Sequence, residues 1–109
     1  MSLERDFQRK VIKEIGKRLP GSRVLKNDPN YIQGIPDLLV LYKDRWAALE
    51  VKKSADAKHQ PNQDDYVAQM NADSFAAFIY PENEEYILDK LQQHMTEPIF
   101  QRRLQHDTF

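Results

Sequence analysis

Two carboxylates and an ammonium stand at the ends of the most hydrophobic hairpin in this sequence. Asp37 opens the apolar run Leu38 to Tyr42, and Glu50, Val51 and Lys52 close the run that starts at Trp46. Strands are predicted near 36–42 and 46–52. Side chains alternate along a strand, so Glu50 and Lys52 share a face and Val51 points the other way. A two-residue turn at Lys43-Asp44 sets Tyr42 opposite Arg45 and Asp37 opposite Glu50, whereas a four-residue turn sets Asp37 opposite Lys52. Either register puts all three side chains on one face; a three-residue turn would not, unless a bulge restored the alternation.

Carboxylates facing each other across a strand pair sit roughly 5 Å apart and repel. Lys52 offsets part of that charge, and a divalent cation fits better. Mg²⁺ or Mn²⁺ takes hard oxygen ligands, often one or two carboxylates with water and phosphate completing the shell. Held there, such an ion polarises a phosphodiester and acidifies a bound water, while Lys52 could orient that water or steady developing charge. The plainer alternative is a solvated strand end with a Glu50–Lys52 surface pair. It loses ground because P-D and E-V-K occur together, with the acids thirteen residues apart, in strands otherwise apolar.

Elements able to position these residues follow from periodicity. Leu3, Phe7, Val11, Ile15 and Leu19, joined by Ile12, predict an amphipathic helix over 3–19, capped by Ser2 and ended by Pro20-Gly21. Arg23 to Lys26 is a short strand, and the turn formers of "NDPNYIQG" make a loop. After the hairpin, "KKSADAKHQP" is a polar, basic loop, and Pro61 suits a first helical turn. Tyr66, Val67 and Met70 give residues 62–72 one apolar stripe. "SFAAFIY" is a buried strand over 74–80, and Glu84 to Met95 is a helix with Tyr86, Ile87, Leu88 and Leu91 inward. Trp46, Phe75 and Phe78 are most simply core. The order predicts an α/β sandwich with a small mixed sheet.

The 109 residues suit a single domain, with a core over about 2–95 and a tail, 96–109, that could be helical. No apolar run is long enough to span a bilayer, no leader-type segment opens the chain, and there is no cysteine. The expectation is a cytoplasmic protein. Residues 1–60 hold thirteen Lys/Arg against eight Asp/Glu, and residues 61–109 three against nine. The basic part, which contains the hairpin, can hold a polyanion.

With "GIPD" at 34–37 and "EVK" at 50–52, in a helix–three strands–helix–strand order, the chain resembles the PD-(D/E)xK nuclease superfamily. It looks most like the small stand-alone VRR-NUC nucleases of phages and bacteria, and more distantly like Holliday junction resolvases. The resemblance implies a restriction-endonuclease-like αβββαβ core and a bacterial or phage-infected cell. Asp37 and Glu50 match metal-binding acids, the Val51 carbonyl a further ligand, and Lys52 the catalytic lysine. It also implies an acid on the first helix, for which Glu4 is chosen over Glu14, and a glutamine early in the helix after the loop, for which Gln63 is chosen over Gln60.

The resemblance implies a Mg²⁺- or Mn²⁺-dependent DNA endonuclease acting as a homodimer, with Ile99 and Phe100 as interface candidates. So small a domain has little surface for reading bases, which favours junction, flap or branch recognition. Lys26, Asn27, Lys53 and Lys58 are the candidate DNA contacts, with Asn30, His59, Arg102 and Arg103 behind them. The alternative function is a non-catalytic nucleic-acid-binding or accessory subunit on the same fold.

Overall fold

The computed structural model describes residues 3–98, so Ser2, Ile99, Phe100, Arg102 and Arg103, and with them the capping, tail and interface expectations, lie outside the described residues. In chain order the elements are α1 (Leu3–Arg18), β1 (Arg23–Lys26), β2 (Leu38–Tyr42), β3 (Arg45–Val51), α2 (Gln63–Asp73), β4 (Phe75–Ile79), a single 3₁₀ turn (Pro81–Asn83) and α3 (Glu84–Thr96). This is an α/β fold with one small mixed sheet flanked by helices. None of the described helices is long and apolar enough to cross a membrane.

The hairpin turn has two residues: Tyr42 pairs with Arg45, and the register runs back through Leu41–Trp46 to Leu38–Leu49. Lys43 takes φ 57, the positive angle that two-residue hairpin turns need at their first central residue and that glycine usually supplies. Both strands start or stop a residue or two from expectation. Pro36 and Asp37 precede β2 because proline cannot donate to the ladder.

The sheet order is β1-β2-β3-β4, antiparallel across the first two pairings and parallel across β3–β4. A parallel pair needs a crossover, and α2 provides it. The helices thus divide between two faces. On one, Phe7, Val11 and Ile15 of α1 and Ile87, Leu88, Leu91 and Met95 of α3 bury Leu38, Val40, Ala47, Leu49, Val51 and Ile79. On the other, Val67 and Met70 of α2 close on Ala48 and Ala76, whose small side chains let the helix approach. Truncating a fully buried member of the larger cluster, such as Ile15 or Leu49, should cost about 2–5 kcal/mol.

One expectation is corrected, and the three aromatics read as core are placed at its margins. Tyr86 is exposed, and Glu84 takes the inward place in the first turn of α3, because the buried phase runs through 84, 87, 88, 91 and 95. Phe75 and Phe78 are three residues apart on one strand and so face opposite sides, Phe75 towards the larger cluster and Phe78 towards the smaller. Trp46 is half-buried at the margin of the smaller one.

Candidate active site

β3 carries Glu50 near the end farthest from the turn, and Lys52 follows just past the strand. Glu50 and Lys52 are 2% and 5% exposed, on the face that α2 covers. Asp37 extends the hairpin register by one residue to stand beside Glu50, as the two-residue turn requires.

Three hydrogen bonds hold Pro36 and Asp37 in place. The Asp37 carbonyl accepts from the Asn27 backbone N–H at 2.8 Å. The Asn27 amide donates to the Pro36 carbonyl at 2.8 Å, and Asp37 Oδ2 accepts the Val51 N–H at 2.9 Å. The ladder shows what this last bond replaces. Hydrogen-bonded pairs alternate along an antiparallel hairpin from the closing pair, so after Tyr42–Arg45, Val40–Ala47 and Leu38–Leu49 the next would be Pro36–Val51. Pro36 has no N–H, so the Val51 carbonyl is left without a ladder donor; the Pro36 carbonyl takes the Asn27 amide, and the Val51 N–H goes to the carboxylate.

Glu50 is held by the helix. Gln63, 8% exposed at the first position of α2, donates from Nε2 to Glu50 Oε2 at 2.9 Å. Its own Oε1 accepts the Gln60 N–H at 2.7 Å, which fixes the amide with its donors towards Glu50. Gly34 makes this meeting possible. A Cβ there would lie 2.7 Å from both the Asn62 Cβ and the Pro61 carbonyl, so the "GIPD" loop and the start of α2 touch backbone to backbone. Lys52 Nζ sits 3.8 Å from Glu50 Oε2 and donates to the Lys58 carbonyl at 3.1 Å.

The electrostatics are unresolved by the chain itself. Burial first, and then the adjacent Asp37 carboxylate, push the Glu50 carboxyl up to about 8, against the opposing pull of Lys52. Glu50 Oε1 is buried with no hydrogen-bond donor, and the neighbouring Asp37 carboxylate can offer it none. Only a proton or a cation satisfies two acceptors placed so. The donor set (two carboxylates and a carbonyl freed by Pro36) is all oxygen, which suits Mg²⁺ or Mn²⁺.

The structure therefore brings together Asp37, Glu50, Val51, Lys52 and Gln63. Glu4 is not among them. It lies half-buried in the first turn of α1, on the other face of the sheet, and among the described residues no third His, Cys, Asp or Glu completes a metal cluster. Glu14 pairs with Lys17 at 3.4 Å. Asn27, expected to contact DNA, is occupied as the clasp on Pro36 and Asp37. Lys26, Lys53 and Lys58 have exposed side chains. His59 stacks on Phe78 with ring centroids 4.1 Å apart and shares a 2.7 Å hydrogen bond with Asp64, beside an open cleft of about 550 Å³ between the loop and α2. The clasp by Asn27 and the seat of His59 were not legible beforehand, since both depend on pairings that only the folded sheet makes.

No family model, curated protein or solved structure matches the chain.

Proposed function

We propose that this chain is a Mg²⁺- or Mn²⁺-dependent DNA endonuclease of the PD-(D/E)xK type, its active site the Asp37–Glu50–Lys52 group. The observation that carries this reading is the buried Glu50 beside half-buried Asp37, with an orphaned carboxylate oxygen and an ammonium 3.8 Å away. A stable core has no use for such a pair, and a phosphodiester-cleaving site does. The quoted motifs and the order of elements support it.

Asp37, Glu50 and the Val51 carbonyl would hold the ion, which supplies Lewis acidity and a nucleophilic water when bound. Gln63 keeps one Glu50 oxygen occupied, so the other stays available. The Val51 N–H does the same for Asp37. Lys52 is poised to neutralise charge that gathers on the phosphate as water adds and the P–O bond breaks. The paired cuts of a homodimer on a four-way junction and a preference for branched DNA belong to the same proposal. A second reading, a non-catalytic nucleic-acid-binding subunit, draws on two observations: no third acid joins the pair among the described residues, and Lys52 is tied to the Lys58 carbonyl.

The test is cleavage of labelled duplex, flap and four-way junction DNA with Mg²⁺, Mn²⁺ or EDTA, beside Asp37→Ala and Lys52→Ala. Metal-dependent cutting by the parent that falls about 10²-fold or more in both variants is expected. No cutting with either metal would favour the non-catalytic reading; variants as active as the parent would remove these residues from the site.

A further inference from the structure

Arg5, Arg9, Lys13 and Lys17 recur every four residues along α1, each about 6 Å further along the axis than the last, and all four are exposed. The other helices differ. α2 turns Asp64, Asp65 and Asp73 outward, and α3 turns out Glu85 and Asp89 with Lys90. Among the described residues, Arg5 and Lys13 have no acidic partner. Arg9 and Lys17 pair only with Asp6 at 3.6 Å and Glu14 at 3.4 Å, exposed one-turn pairs worth little and easily exchanged for a phosphate.

The helix is oriented so that this row begins at the same end of the sheet as the candidate active site, on the opposite face. Lys10 Nζ contacts Glu84 at 3.1 Å, and Glu84 follows directly on the turn after β4, whose end lies beside the end of β3. Arg18, two turns on, meets Glu85, Asp89 and Gln92 further along α3. Arg5 and Arg9 therefore stand at the Glu50 end of the sheet. Lys53 and Lys58 lie across the sheet end, on the loop leading to α2. The site has a basic bank on each face.

We infer that the outer face of α1 is a second DNA contact, a rail of Arg5, Arg9, Lys13 and Lys17 that holds the backbone of a duplex arm leading away from the carboxylate pair. Charge complementarity selects a polyanion. The apolar stripe of the same helix, Phe7, Val11 and Ile15, is buried in the core and unavailable to a bilayer, which excludes an amphipathic lipid anchor. The rail's place relative to the cut rests on the nuclease reading; the binding itself does not.

The test compares the parent with Arg5→Gln/Arg9→Gln/Lys13→Gln. Glutamine keeps helix propensity, and a circular-dichroism melt checks folding. Lys43→Gln/Lys90→Gln serves as a control for positive charge removed elsewhere. Fluorescence anisotropy on a labelled duplex with long arms, in EDTA and across 50–200 mM salt, reads the binding. The triple variant should lower the slope of log affinity against log salt by about 2–3, near 0.9 for each phosphate no longer neutralised. It should also weaken binding at least tenfold, while the control stays within about twofold. Where the parent cuts, hydrolysis of a small chromogenic phosphodiester, which carries no strand to lie along α1, should be unchanged in the triple variant.

An unaltered slope, an equal weakening in the control, or a parent that binds no duplex would each overturn the rail. A parent that binds with the expected slope but never cuts would sink the nuclease reading and leave the rail standing.

Discussion

The two ends of β3 both bury charge, and they treat it in opposite ways. At the turn end Arg45, 9% exposed, donates to the His94 carbonyl at 3.1 Å and lies 3.7 Å from Asp44. Ser74, hydrogen-bonded to the Trp46 carbonyl and in contact with His94 Nε2 at 3.0 Å, continues the network. Every partner is supplied by the chain. At the far end the acids face each other, and one oxygen has no donor. A protein can satisfy buried charge on this strand, and does so beside the turn. The incomplete set at Asp37 and Glu50 is thus a local departure, of the kind that function maintains against stability.

The sharpest way to break the comparison is to disarm the acids. Glu50→Gln should abolish metal-dependent cleavage, by about 10²-fold or more, and should also cancel any rise in melting temperature on adding Mn²⁺ to the parent. A retained metal-induced shift would place the ion elsewhere. Next comes the satisfied end. Arg45→Ala should cost about 2–4 kcal/mol in urea unfolding, since it empties a buried position and removes the charged donor to the His94 carbonyl. A cost below about 0.5 kcal/mol, the range of ordinary surface substitutions, would mean the turn-end network is ornamental.

Acidity separates the two ends further. The unfolded chain releases the Glu50 proton near 4.5, while the folded protein keeps it up to about 8. Below pH 4.5 both forms are protonated and the burial costs nothing extra. As pH rises towards 8 the folded form holds a proton that the unfolded form has given up, so stability in EDTA should fall through that range by on the order of a few kcal/mol. Glu50→Gln should flatten this dependence and be the more stable protein at pH 8, measured by urea midpoints at several pH values. A parent profile as flat as the variant's would remove the electrostatic conflict. The smallest expected effect is at the turn: Lys43→Gly, relieving φ 57, should change stability by no more than about 1 kcal/mol and leave cleavage untouched.

The hairpin and its acids were legible in the sequence because they rest on local rules: alternation along strands, the length of a turn, and the spacing of P-D and E-V-K. Gln63 was legible through the resemblance, which implies a glutamine early in the helix after the loop. What escaped depends on distant neighbours. Nothing near Arg45 in the chain points to His94, nor anything near Glu84 to Lys10, and the phase error at Tyr86 comes from a helix that carries an acid inward to meet that lysine. Asn27 was read by its type, as a polar loop residue. Its actual role is set by the register of β1 against β2, which four residues of strand could not announce.

The crossover between β3 and β4 has a consequence for how the chain reaches its folded state. Asp37 and Glu50 meet within one hairpin, an encounter of short sequence separation that forms in about 1–10 μs in isolated hairpins. Gln63 arrives only when α2 docks and β4 adds its parallel pairing, which must wait for a longer loop to close. Contact order therefore predicts that the like-charged pair forms before the amide that steadies it, the hairpin holding its two acids together against their own repulsion until α2 docks.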